Sequence, residues 1–486
     1  MSSLTPPFPA LGRAPTAVPA AAFEVLGYLC VVAVGTLCFV IGWLTPNQAG
    51  VLTVLLLVFL ILLAWKRFDQ GRHPCFLFLC TLLFFQGGRL IGFCLGVTPD
   101  PFAIELFIPV PFGISREEAG IVLLAITLSA ICVYAPCRWK YRRIQPPTDQ
   151  TTRRYLPYLY LVFFFSISAA LVKNYLYLRY ALDNGYLAFF NDYYRLVANV
   201  PLPVRLTALL NLPVFLAIFV IEKRRKWLWI ISVLYFAVAG LYLATGSRMG
   251  TLALVLVLWY VARIKSSKRT RILLPALLAA SLICVAIVVG ANRVGAGEDQ
   301  GHTLGPLEFI AQQGNSFLVT ELAIKYSDIF RPHIASYLFH DLWLVFVPSD
   351  ISWYVRGRYL GWDMLVLLNP SLLKWGFGPG GSYLAEMYLL GGLGGVVVLS
   401  LLLGYGLNLL YAGGRTVGGL IVVALLLPDF IVMPRGDLVV WSSTLVRDAI
   451  LFCPLLAGWW LFSLLSSIRG PSPGTLPPEP YGPANA

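Results

Sequence analysis

The sequence predicts an all-α fold, a polytopic transmembrane helical bundle of about 12 helices with a large, partly helical external loop. Three observations predict it. Of the 486 residues, 58% are hydrophobic and only 12% are charged, whereas soluble domains carry roughly a quarter charged residues. Mean hydropathy is +0.77. Apolar runs recur along nearly the whole chain, many close to the ~20 residues that a helix needs to cross ~30 Å of hydrocarbon.

Residues 1–22 are rich in Pro and Ala and read as a disordered tail. Apolar spans follow at 23–44, 50–65, 74–97, 119–136, 156–173, 204–221, 227–244, 250–263, 272–291, 382–411, 417–433 and 444–466. They define one transmembrane domain over 23–466, and the Pro-rich segment 467–486 reads as a second disordered tail. The first span is not expected to be a cleavable signal: its leader holds only Arg13 as a charge, and many spans follow it.

The net charge is +13. The connections 66–73, 137–155, 222–226 and 263–271 hold half of the 36 Lys and Arg, while 45–49, 98–118, 245–249 and 434–443 hold three. This asymmetry predicts that the first set is cytoplasmic, together with both termini. It explains the basic excess through topology, so nucleic acid is not an expected partner. The expected location is a bacterial inner membrane. The two long connections, 174–203 and 292–381, would then face the periplasm.

The second connection is too long for an idle loop. Leu318, Leu322 and Ile329 share one face of a helix predicted over 316–330. With Trp343, Trp353, Tyr354, Tyr359 and Trp362 suited to an interface, 292–381 reads as a largely helical cap on the outer membrane surface.

None of the nine cysteines lies in 291–380, and no CxxC or Cys/His metal spacing occurs. Neither a disulfide framework nor a zinc site is expected. GFGPGG (376–381) matches the GxGxxG string, but no strand precedes it, so it reads as a flexible lead-in to the following span. The GxxxG spacing in Gly391–Gly395 suits close helix packing.

Arginines predicted at the outer side carry the most information. Arg89 lies inside the third span (QGGR, 86–89), Arg248 in TGSRMG (245–250), Arg435 in MPRGD (433–437), and Arg447 beside Asp448 in the last span. An intramembrane guanidinium must be paired or serve a solvated site. Individually, snorkelling, local ion pairs or interfacial position account for them. Together, several planar forks near one face suit a phosphate or diphosphate. Aromatic residues alternate with polar ones over 175–194, which suits either sugar rings or an interfacial belt. For acid–base chemistry Glu386 stands out, one turn into an apolar span. Asp341 beside His340, and Asp350, follow it.

Three of these stretches, TGSRMG (245–250), GPGGSYLAEMYLLGGLGG (378–395) and PRGDL (434–438), resemble the Wzy-type polysaccharide polymerases, which join O-antigen or exopolysaccharide repeat units. The order of the motifs, the span count and the late external loop are also similar to that family. The loop lacks a dense basic run, a departure that leaves the donor position open.

The resemblance implies a membrane glycosyltransferase acting on undecaprenyl-diphosphate-linked oligosaccharide at the periplasmic face, without nucleotide sugar, cofactor or metal. A chain-length-regulator membrane protein is a possible partner. Under that reading Arg248, Arg435, Arg89 and Arg293 bind diphosphate, Glu386 or His340 serves as base, and Tyr186, Tyr193 and Trp353 hold sugars. An O-antigen ligase, with the same donor and a lipid A-core acceptor, and a polysaccharide or lipid-linked-oligosaccharide transporter remain alternatives.

Overall fold

Apolar runs bounded by capping residues set the helices of the computed structural model. It describes residues 17–103, 113–139, 141, 143–144, 151–184, 199–244, 249–265, 306–339, 360–368, 370 and 380–439, with isolated positions near 189–196 and 446–461. Helix α1 spans Ala17–Val40, starting six residues before the expected first span. Helix α2 (Pro46–Arg67) begins with a capping box: Thr45 accepts from the Gln48 amide, and the Gln48 side chain accepts from the Thr45 amide. Pro46 at the first helical position loses no hydrogen bond there.

The third span is broken. Helix α3 (Pro74–Gln86) ends at Gly87, and α4 (Gly88–Cys94) leaves it at a 66° bend. The Gly-Gly pair after Gln86 removes two side chains that would favour continuation. Arg89 therefore lies in the first turn of a short second helix, not midway along a straight span.

Helix α5 is Arg116–Trp139, α6 Leu156–Asn184, α7 Leu202–Leu209, α8 Asn211–Ile221, α9 Arg225–Ala244 and α10 Met249–Lys265. After α10 come α11 (Pro306–Gln313), α12 (Asn315–Lys325), α13 (Leu360–Leu368), α14 (Tyr383–Gly413) and α15 (Val417–Val432). No strand occurs among the described residues. Among the described residues, eight helices are long and apolar enough to cross a membrane, or nine with the bent α3–α4 pair counted as one span. The chain is a multi-pass helical membrane protein. Helix α10 coincides with the expected span at 250–263. The expected spans 272–291 and 444–466 lie wholly or mostly outside the described residues, so the expected twelve is not reached by this count.

Among the described residues, the two largest apolar clusters form most of the core. One joins α1, α2, α3, α5, α12 and α14 around Phe78, Tyr134 and Tyr383. The other joins α6, α8, α9, α10 and α15 around Phe163, Phe215 and Tyr260. Phe215 and Tyr235 stack at 4.0 Å within the second. Helices α5 and α14 approach closely at Gly404, where an added Cβ would overlap the Val133 carbonyl. Asn408 donates from Nδ2 to the Pro136 carbonyl at 2.5 Å, satisfying one of the orphan acceptors at the end of α5.

Helix α14 is kinked, with non-helical backbone at Gly391 and Gly392, the latter at φ 58°. A Cβ at Gly391, Gly392 or Gly394 would meet nothing within 4 Å. Gly391, Gly392 and Gly394 thus permit the bend, Gly395 packs on the Met387 carbonyl of the other arm, and a close contact with a second helix is made at Gly404. The two arms are latched to α5, because Tyr383 OH and Ser400 Oγ lie 2.7 and 2.8 Å from Ser129 Oγ.

The Lys- and Arg-rich ends of α2, α5, α8 and α10 define one basic face. Helices α3 and α14 each run from there to the opposite, far face. Helix α12 lies at the far side, yet it is not a cap on the surface. Ser316 to Ile324 are all buried, packed on α3, α4, α5 and α14, and only Ile329 of the expected apolar face is exposed. A helix buried on every side belongs inside a bundle, which corrects the surface position expected for 316–330.

Candidate active site

Gln86, the last residue of α3, is fully buried and is the hub of a closed hydrogen-bond ring. Its Nε2 donates to Ser382 Oγ at 2.9 Å and to the Pro434 carbonyl at 2.7 Å. Ser382 Oγ also caps α14 by accepting from the Ala385 amide at 3.4 Å. With two N–H groups already pointing at it, that hydroxyl gives its proton to Thr320 Oγ1, 2.8 Å away. Thr320 in turn reaches Gln86 Oε1 at 3.2 Å and the Ser316 carbonyl at 3.1 Å. Every member is satisfied, so the ring is a rigid link between α3, α12, α14 and the 434–438 loop.

That loop is held at four points. Pro434 accepts from Gln86, and Arg435 Nη1 donates to Gln313 Oε1. The Leu438 amide donates to Glu386 Oε2 at 2.7 Å. Gly381 presses against the Gly436–Asp437 backbone and side chain so closely that a Cβ there would overlap Asp437 Oδ1. Gly380, at φ +83°, sets up this approach. The final glycines of GFGPGG are thus a tight turn docked on the PRGDL segment; residues 376–379 lie outside the described residues.

The Arg435 guanidinium also lies over the Phe85 ring, 5.8 Å from its centroid. Arg89 sits on the other side of the Gln313–Gly314 turn, where only a glycine at 314 leaves room for the Arg89 backbone amide. Arg89 is 7% exposed. Its Nε donates to the Pro101 carbonyl at 2.8 Å and its Nη2 to the Ala103 carbonyl. This arginine is therefore not snorkelling; it anchors the chain at 101–103 while remaining charged at the edge of the polar layer.

Of the residues singled out from sequence, Glu386, Arg435 and Arg89 are described, and all three border this layer. Glu386 is 1% exposed, one turn into α14, with Oε2 aimed by the Leu438 amide. His340, Arg248, Arg293, Tyr186, Tyr193 and Trp353 lie outside the described residues, as do Asp341, Asp350, Arg447 and Asp448. Near the first long connection, Tyr180 OH donates to Asp192 Oδ2 at 2.5 Å, and Tyr177 packs on Phe189.

Sequence reasoning passed over Gln86, Gln313, Thr320, Ser382 and Glu321. Glu321 is fully buried on α12, outside the candidate crossing helices, and neither carboxylate oxygen has a hydrogen-bond partner among the described residues. Burial pushes its carboxyl well above the usual carboxylate range, against the opposing pull of the Arg89 guanidinium. The available signal was polarity out of place: Gln86 is a lone amide ending an apolar run beside two glycines, and Thr320-Glu321 interrupts an apolar helix.

A family model for the O-antigen polysaccharide polymerase Wzy matches residues 28–463, so the chain belongs to that family. No curated protein and no solved structure matches it.

Proposed function

We propose that this polymerase joins undecaprenyl-diphosphate-linked oligosaccharide repeat units at the periplasmic face of the bacterial inner membrane, with both termini cytoplasmic, and that the Gln86 layer is where the transfer occurs. Membership of the Wzy family makes the chain an O-antigen polymerase that acts on lipid-linked oligosaccharide in a membrane. The observation supporting the placement is the meeting of the SYLAE and PRGDL segments with Arg89 and α12 in one buried polar layer. The distribution of Lys and Arg favours the periplasmic side for that layer.

In the reaction an acceptor sugar hydroxyl attacks the anomeric carbon of the donor. The bond from that carbon to the diphosphate oxygen breaks, and undecaprenyl diphosphate leaves with the electron pair. The negative charge growing on the leaving group is what the site must stabilise, and fixed guanidinium groups in a water-poor setting do so without reorganising. Arg435, held by Gln313 at the loop, is positioned to contact the diphosphate. Arg89, with Nε and Nη2 committed to carbonyls, acts through its field at close range. Arg248 and Arg293 are further diphosphate ligands in this reading.

Glu386 takes the proton of the attacking hydroxyl, its carboxylate oriented by the Leu438 amide. His340 is the alternative base. Tyr186, Tyr193 and Trp353 are assigned to the glycan. A chain-length-regulator membrane protein is the proposed partner.

The test is reconstitution. Purified protein in detergent, supplied with undecaprenyl-diphosphate repeat units from its host, should produce a ladder of longer lipid-linked glycans and release undecaprenyl diphosphate. Transfer of glycan to a lipid A-core acceptor with no ladder would replace this reading with a ligase. No product from a folded sample would overturn the donor assignment.

A further inference from the structure

The three side chains His73, Cys75 and Cys137 converge at the basic face, far from the Gln86 layer. Their ligand atoms all lie within 4.8 Å of one another, and all three residues are completely buried. Two sit at the start of α3 and the third at the end of α5, so no Cys/His spacing along the chain announces them. We propose that they bind one zinc-class transition-metal ion.

The histidine is already prepared as a ligand. Asn408 donates from Nδ2 to the Pro136 carbonyl, which can only accept, so its Oδ1 faces His73 Nε2 at 3.0 Å. Nε2 must then carry the ring proton, and the Nδ1 lone pair is left available. Fixing a ligand's tautomer through its other nitrogen is the usual second layer of a metal site. Nδ1 at present accepts only the Cys75 amide, at a long 3.2 Å. The ring is held between Phe68, at 4.8 Å, and Tyr411, at 4.6 Å, so it cannot swing away.

Charge and distance fit the same ion. Zinc bonds of about 2.3 Å to sulfur and about 2.0 Å to nitrogen place tetrahedral donors roughly 3.5–3.8 Å apart. With its ligand atoms within 4.8 Å of one another, the cluster would have to tighten by about 1 Å to reach that spacing. Two thiolates and a divalent cation are together neutral, which an apolar interior tolerates far better than any charged alternative. Loss of the Cys137 S–H proton also frees the Gly404 carbonyl it now faces at 3.2 Å, an oxygen available as a fourth donor. The ion would tie α3, α5 and α14 together at the basic face. Those helices carry Gln86, Ser129, and Tyr383 with Glu386 at the far end.

The experiment uses full-length protein purified without chelators and without metal-affinity resin. Elemental analysis should find one zinc per chain, lost in both Cys75→Ala and Cys137→Ala. Protein from cobalt-supplemented cells should show a thiolate-to-cobalt charge-transfer band, a reading on the unmutated chain that stands even if a variant fails to fold. Metal-free protein whose Cys75 and Cys137 peptides alkylate fully on unfolding would overturn the proposal. So would a Cys75–Cys137 disulfide found by peptide mass, or metal retained by both folded variants.

Discussion

At the basic face, Glu24 accepts from Arg138 at 3.1 Å and pairs with Arg67; Asp69 pairs with Arg72 and Arg143 at 2.9 and 3.1 Å. Glu222 gathers Arg224, Tyr160 and two backbone amides. Around Gln86 the arrangement differs. Glu321 has no hydrogen bond, and Arg89 spends its donors on neutral carbonyls, with no ion pair among the described residues. Acids at the basic face are therefore neutralised by fixed cations, which makes that end a closed structural layer. At the far end, Glu321 is buried with no hydrogen bond among the described residues, within electrostatic reach of an Arg89 guanidinium whose Nε and Nη2 donate to neutral carbonyls. A buried charge handled in this way costs stability, and such groups cluster where charges have a ligand to meet.

The largest expected effect that sharpens this contrast is on turnover. Arg435→Ala should lower polymer formation by about 100-fold or more while the unfolding midpoint barely moves, because a transition-state donor is lost. Arg435→Lys should recover only part of it, since the ammonium lacks the planar fork. Arg138→Ala at the basic face should do the reverse, lowering stability with little change in turnover per folded molecule. Equal losses in both variants would erase the distinction.

Next in size is the acid side of the stability curve. At Glu222, burial pushes the carboxyl up, but hydrogen bonds from Arg224, Tyr160 and the backbone amides outweigh it and bring it down to about 2 from an ordinary 4.5. Its contribution is thus present above 4.5 and lost as the pH falls toward 2. Glu222→Gln should cost about 1–2 kcal/mol at neutral pH. The gap to the unmutated protein, read from thermal midpoints in detergent, should close across that window.

The smallest effect has the opposite sign. Glu321 is raised in the folded state, so its contribution is present below 4.5 and lost as the pH rises. Glu321→Gln should therefore melt slightly above the unmutated protein at about pH 8, by about 1 kcal/mol, and level with it near pH 4. If Glu222→Gln and Glu321→Gln share one slope against pH, the two faces do not differ in the way described.

Much of the bundle was legible because crossing a bilayer leaves few options for the backbone. The spans at 119–136, 156–173 and 227–244 fall within α5, α6 and α9. The misplacement of 316–330 has a clear cause. Its periodic apolar face was visible, but nothing in the sequence shows that Thr320 turns to Gln86 and that Glu321 lies within reach of the Arg89 charge. Composition alone cannot tell a polar side turned to solvent from one turned to a buried network. The breaks at Gly87 and Gly391–Gly392 were similarly ambiguous, since glycine serves both bending and close approach. Glu386 and Arg435 were readable as charges in apolar company. Gln86 and Ser382, being neutral, left only a faint trace, although they hold the charged groups in register.

The shortness of α3 has a consequence for depth. Its 13 residues, at about 1.5 Å each, rise only ~20 Å from the basic face, well short of the ~30 Å of hydrocarbon. With the basic end of α3 taken as one lipid boundary, Gln86 falls roughly 10 Å short of the other. On the proposed reading of Arg435 as a diphosphate contact, a lipid headgroup would have to descend to meet it, drawing its first sugars beneath the level of the surrounding phosphates. Neighbouring lipids would then tilt and thin, and bilayer thickness itself would become a setting on how readily the donor arrives.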